Sequence, residues 1–206
     1  MQKKIFFLLW IMLPFAVMYG QNYADAVRIM DSCVKKVKDI NTYKSTIEYD
    51  SQNFSGRATL LFSDGKYRFT TSDVVRMCDG KYIYTIMNDI KEVNVENIDT
   101  DGGALGSMSD ILNIFVRNFK PYTATRKNDS WFIEMRPVAQ DRELESVEIE
   151  VDIKSLLPLS FVEKMREGNG SVIKIIELTP VVKIQESEFY FDEKKYKESG
   201  YYIVRP

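Results

Sequence analysis

The sequence predicts an α+β chain that is mainly antiparallel sheet. Polarity alternates residue by residue over short runs bounded by Gly, Asn and Asp, the period of half-buried strands. Turn-forming pairs such as Asp64-Gly65 and Asp79-Gly80 supply residues that tolerate positive φ between such runs. Only two stretches show the three- and four-residue spacing of an amphipathic helix. The pattern gives about ten or eleven strands that meander in sequence order, with two or three short helices.

The first helix runs from Tyr23 to Ile40. Val27, Met30, Val34 and Val37 form an apolar stripe, and Arg28, Asp31, Lys35 and Lys38 lie off it. At Tyr43 the period changes to two, with Tyr43, Ser45, Ile47 and Tyr49 on one face of a strand. From Gly56 to Met87 three or four strands follow. Their large apolar side chains (Phe62, Tyr67, Phe69, Tyr82 and Tyr84) exceed what a thin meander can bury on itself. They require a cover: a helix, a second sheet or an apolar ligand. Glu92 to Val95 makes another short strand.

Asp99 to Ser109 breaks the pattern with Asp101-Gly102-Gly103 and Gly106-Ser107, and Ser109 is placed to cap a helix starting at Asp110. The Asp99 to Gly102 run lacks the further oxygen ligands and terminal Glu of a calcium loop. In the helix, Ile111, Leu112, Phe115, Val116 and Phe119 give a broad apolar face. That face suits either a core helix or a movable lid over a ligand. Pro121 is expected to end it. Strands then fall at Tyr122 to Arg126, Trp131 to Arg136, Val147 to Ile153, Leu159 to Arg166 and Ser171 to Leu178. Glu188 to Asp192 and Tyr201 to Val204 close the sheet.

Composition narrows the function. Among 206 residues there is no histidine, which removes Ser-His-Asp and Cys-His mechanisms and the commonest transition-metal ligand. No Gly-x-Ser-x-Gly stretch is present, and the acidic residues mostly alternate on wet strand faces, so neither a lipid hydrolase nor a glycosidase is expected. The formal net charge of -2, with both signs interspersed, argues against a nucleic-acid partner. Lys3-Lys4 followed by Ile5 to Val17 has the form of a secretory signal, with cleavage expected after Gly20. An exported domain over residues 21–206 follows. Cys33 and Cys78 are its two cysteines; they are either a disulfide formed in an oxidising compartment or two separately buried apolar side chains.

The order of these motifs resembles the LolA family of periplasmic lipoprotein carriers. The features are the first helix, a strand carrying Gly56, the Ser63-Asp64-Gly65-Lys66 turn, Lys66-Tyr-Arg-Phe69 and Cys78-Asp-Gly-Lys-Tyr-Ile-Tyr84. Further along come Trp131 to Pro137, Leu156-Leu-Pro158, Phe189-Tyr-Phe191 and Tyr202 to Arg205. The resemblance implies an unclosed half β-barrel whose concave face, lidded by helices, holds acyl chains of a lipoprotein in a continuous apolar cavity. It implies a monomeric periplasmic carrier without cofactor or enzymatic activity, passing cargo from an inner-membrane release complex to an outer-membrane acceptor. The residues expected around the acyl chain are Val34, Tyr67, Phe69, Tyr84, Leu112, Phe115, Phe119 and Trp131, with Met30, Met87, Met108 and Met135 as adaptable lining. Well-studied members carry a basic residue that tethers the lid at the position of Ser63 or Asp64. Neither residue here is basic, and Arg68 and Arg76 nearby read as solvated strand residues. A second expectation keeps the same fold but makes it a lipoprotein- or lipid-binding sensor of envelope stress.

Overall fold

The computed structural model describes residues 22–98, 108–139, 141 and 143–205. Along the chain lie helix α1 (residues 22–38), β1 (Thr42–Asp50), β2 (Ser55–Ser63), β3 (Lys66–Thr70), β4 (Val74–Cys78), β5 (Tyr82–Met87) and β6 (Glu92–Asn97). Helix α2 (Met108–Asn118) precedes β7 (Phe119–Lys127), β8 (Ser130–Pro137), β9 (Leu144–Asp152), β10 (Pro158–Met165) and β11 (Val172–Pro180). A 3-10 turn (Glu186–Phe189), α3 (Glu193–Glu198) and β12 (Tyr202–Val204) complete it.

These strands form one sheet in the order β12-β6-β5-β4-β3-β2-β1-β11-β10-β9-β8-β7. The two ends do not meet, so the sheet is an open half-barrel, as expected. Two meanders, β1 to β6 and β7 to β11, join where β1 pairs antiparallel with both β2 and β11. β12 departs from antiparallel pairing and adds parallel to β6. The Asp64-Gly65 turn has φ of 49° and 81°, both positive as a primed turn requires.

Alternation sorts the side chains onto two faces, and each face has its own core. On the inner face, Tyr43, Ile47, Leu60, Tyr67, Ile133, Met135, Val147, Ile149, Val151 and Phe161 pack with α1 and α2. On the outer face, Val75, Met77, Tyr84, Ile86, Val93 and Val95 pack with Phe191, and Tyr196, Tyr201 and Ile203 of the C-terminal segment lie against them. Val147, Ile149 and Val151 of β9 are fully buried, as their alternation predicts. In α1 the buried stripe is Ala26, Ile29, Met30, Cys33 and Val37, while Val27 and Val34 sit half-buried beside it.

Four expectations are corrected. Glu188 to Asp192 is not a strand: Glu186–Phe189 form a 3-10 turn, and the chain crosses the outer face of the sheet as a cover. Phe189 and Phe191 are buried and Tyr190 exposed, so the alternation is real, but a period of two does not specify a ladder partner. Asp192 instead caps α3, its carboxylate accepting from Lys195 N at 3.0 Å. Helix α2 begins at Met108, two residues before Asp110, and ends at Asn118, so Ser109 is inside it and Phe119 opens β7. Pro121 lies within β7 and does not end the helix. It is tolerated there because β7 is an edge strand and the register shifts between Pro121 and Thr123. The leader segment, the Asp99 to Gly102 run and the glycine-rich loop up to Ser107 lie outside the described residues.

Cys33 and Cys78 are free thiols, both buried within the inner core. Burial pushes the Cys33 thiol up to about 12 and raises that of Cys78. Both are therefore expected to resist a thiol reagent in the native protein and to react fully in denaturant without reductant. A denatured chain that titrates no free thiol would establish the disulfide instead.

Candidate functional site

Seven of the eight residues expected around an acyl chain meet in one cluster on the inner face. Tyr67 and Leu112 are buried members of it, and Val34, Phe69, Phe115, Phe119 and Trp131 pack against it half-buried. Tyr84 does not join them. Strand pairing places Tyr67 opposite Cys78 and Cys78 opposite Ile83, so Ile83 shares the inner face and its neighbour Tyr84 points outward. There Tyr84 stacks on Phe191 with ring centroids 4.4 Å apart. Its hydroxyl donates to Asp79 Oδ2 at 2.9 Å, and burial together with that carboxylate pushes its pKa up to about 12. Met30, Met108 and Met135 are in the inner core; Met87 is half-buried and outside that cluster.

The sheet positions this cluster, and α2 covers it. Leu112 is fully buried, and the Phe115 ring stacks on Phe161 of β10 at 5.2 Å and lies 5.6 Å from Phe119. A buried polar contact ties the start of the helix to the middle of the sheet: Met108 N donates to the Tyr43 hydroxyl at 2.6 Å. Tyr43 is itself 1% exposed and stacks on Phe62 at 5.2 Å. The first N–H groups of a helix have no partner within it, so this hydroxyl caps α2 from a distant strand. Sequence spacing offers no signal for such a contact, because Tyr43 and Met108 are 65 residues apart.

Beneath the helices, much of the inner face is packed by the protein's own side chains. Met108, Leu112, Ile133, Met135, Val147 and Ile149 are each at most 1% exposed. Several hollows are lined by described residues. One of about 640 Å³ sits between the β1–β2 and β10–β11 turns, among Gln52, Phe54, Glu163 and Arg166. A groove of about 310 Å³ runs between α1 and α2, lined by Val34, Lys35, Lys38, Asn113 and Val116. Among the described residues no group of three or more acidic or cysteine side chains could hold a metal ion, and no helix is long and apolar enough to cross a membrane.

The two arginines near the expected tether divide between the faces. Arg68 Nη1 donates to the Glu188 carbonyl at 3.2 Å, which fastens the C-terminal cover to the outer face. Arg76 pairs in register with Phe69 and Thr85 and so lies on the inner face, half-buried rather than solvated.

No family model matches the chain, and no curated protein matches it. Among solved structures, an uncharacterized conserved protein from Thermus thermophilus is similar, with a TM-score of 0.60 at 11% identity, covering 88% of this chain and 99% of that one. MucB is similar with a TM-score of 0.48 at 14% identity, covering 82% of this chain, which spans only 64% of MucB. A domain assigned to outer membrane lipoprotein sorting in Vibrio parahaemolyticus has a TM-score of 0.45 at 10% identity, covering 85% of this chain and 100% of that one. These likenesses concern the fold, and the open half-barrel under a helical cover is the architecture that the LolA resemblance implies.

Two outcomes follow from this geometry. Tyr43→Phe strands the Met108 N–H in a buried place and is expected to cost about 1–3 kcal/mol in urea unfolding. Amide exchange should then quicken in α2 more than in β1; equal quickening in both would refute a local latch. Partial burial raises the Asp79 carboxyl, but hydrogen bonds from Tyr82 N, Lys81 N and the Tyr84 hydroxyl outweigh it and hold the group below its ordinary value. A depressed carboxylate stabilises the fold above its unfolded pKa and loses that contribution as pH falls through the folded value. The stability gap between wild type and Asp79→Asn should thus be full above about pH 4 and shrink below it. A gap independent of pH over that range would contradict the assignment.

Proposed function

We propose that this chain is a non-enzymatic periplasmic carrier, exported by a cleaved leader, that shelters the acyl chains of a lipoprotein or related lipid between the inner face of its sheet and α2. The observation that carries the proposal is the attachment of α2: an apolar underside of Leu112 and Phe115 against Phe161, with the Tyr43 hydroxyl as a buried polar tie at its start. In this reading cargo enters as α2 lifts from the sheet.

Magnitudes favour that exchange. Uncovering Met108, Leu112 and Phe115 costs roughly 1.5–3 kcal/mol for each side chain. Burying an acyl chain of about 16 carbons gains on the order of 10 kcal/mol at about 0.8 kcal/mol per methylene. The surplus is a few kcal/mol, enough to hold a chain out of water and small enough to release it to an acceptor in the outer membrane after loading from an inner-membrane donor. Methionines in the lining suit cargo of varied shape.

The same inner cluster suits a second reading, a lipoprotein- or lipid-binding sensor of envelope stress with the same fold. Mass spectrometry of the protein purified from a bacterial periplasm tests the shared premise: a co-purifying acylated lipoprotein or lipid is expected. Phe115→Glu should abolish uptake of a fluorescent acylated peptide while circular dichroism of the sheet is unchanged. Unaltered uptake would dismiss α2 as the cover, and a wild type that carries and takes up nothing would overturn both readings.

A further inference from the structure

Two buried side-chain polar atoms lack a hydrogen-bond partner among the described residues: the Tyr67 hydroxyl and Arg76 Nε. They are neighbours. Tyr67 lies opposite Cys78 and Phe69 opposite Arg76 across β3 and β4, which puts both side chains on the inner face one diagonal step apart. Burial raises the pKa of the Tyr67 hydroxyl, and the Arg76 guanidinium beside it opposes that rise. A guanidinium can only donate, so its approach to the phenol oxygen still leaves the phenol's own hydrogen without an acceptor. Tyr67 is 2% exposed. Arg76 reaches Glu96 at 3.8 Å, well beyond the 2.7–2.9 Å of a charge-assisted hydrogen bond, and the Glu96 side chain is 59% exposed. The surroundings are otherwise apolar on the core side, with Phe69, Cys78 and Ile83, and open towards Thr85 and Asn94 on β5 and β6, which are only half-buried.

Folded chains rarely leave buried donors unmatched, because each costs about 1–3 kcal/mol. Here both orphans are N–H or O–H donors beside a permanent positive charge, at the edge of the apolar face that the proposed cargo would occupy. We propose that Tyr67 and Arg76 form a polar anchor that takes the acyl oxygen of the cargo, a carboxylate or ester carbonyl, at the end of the buried chain. This inference rests on the carrier reading and specifies the chemistry that the carrier selects: an oxygen acceptor attached to the hydrocarbon, not hydrocarbon alone. The acceptor receives one hydrogen bond from the phenol and one from the guanidinium, and the chain runs from there over Phe69 towards the core.

Displacement of Nile red from the full chain by oleic acid, methyl oleate and 1-octadecene tests it. Wild type is expected to prefer the oxygen-bearing ligands over 1-octadecene by about tenfold or more, the worth of one charge-assisted hydrogen bond. Tyr67→Phe, which preserves the ring packing, and Arg76→Gln should each reduce that preference several-fold with 1-octadecene displacement unchanged. Preference for both oleic acid and its ester identifies an acyl carbonyl as the anchor's target, and preference for the acid alone identifies a free carboxylate; either supports the anchor. Equal displacement by all three in wild type, or a preference that survives both substitutions, overturns the anchor and leaves the carrier standing. A wild type from which none of the three displaces the dye overturns both.

Discussion

An unclosed sheet with apolar side chains on both faces must be covered twice. That constraint organises this molecule. Over β3 to β6 the strands carry large side chains in both parities: Tyr67, Cys78 and Ile83 inward, Met77, Tyr84, Ile86 and Val95 outward. A closed barrel would hide one set inside and leave the other to solvent. Here α1 and α2 cover the inner set, and the segment from Glu186 to Val204 wraps the outer one. The edges of the sheet are protected differently at each end, by β12 pairing parallel to β6 and by proline and a register shift in β7.

The two covers are fastened by different chemistry. The outer one is tied by hydrogen bonds and ion pairs spread along it, from Arg68 to the Glu188 carbonyl, from Lys66 to Glu186 and from Tyr201 to Asn88. An aromatic series from Tyr84 through Phe191 to Tyr196 and Tyr201 adds stacking contacts. Among the described residues, the α2 cover is held by apolar contact and the Tyr43 hydroxyl. Apolar contact is non-directional, so a lipid chain can replace it without leaving donors or acceptors unpaired; a network of oriented hydrogen bonds could not be exchanged so cheaply.

Much of the site was legible because the residue types that fill a core are also those that would line an acyl cavity. Leu112 and Phe115 at helical spacing and Tyr67 and Phe69 at strand spacing all belong to the inner cluster. Tyr84 was misplaced for a definite reason. The link from Cys78 to Tyr82 decides which parity of β5 faces inward, and one residue more or less in such a link exchanges the faces. Tyr43 and Arg76 went unrecognised for another: a hydroxyl that caps a remote helix and a guanidinium folded under its own sheet look, in a strand pattern, like ordinary alternating residues.

By itself the sequence determined that the chain would be an antiparallel meander with a few amphipathic helices, that catalysis by histidine was closed to it, and where most turns would fall. These follow from local periodicity, backbone preferences at Gly, Asn and Asp, and composition. Only the tertiary structure decided that β1 pairs with β11, that Glu186 to Glu198 lies on the sheet instead of extending it, that both cysteines remain thiols, and that α1 and α2 pack on the inner face. Each of these is a choice of partner between residues far apart along the chain. Periodicity shows which side of an element is apolar, but the partner that covers it is settled by packing of the whole.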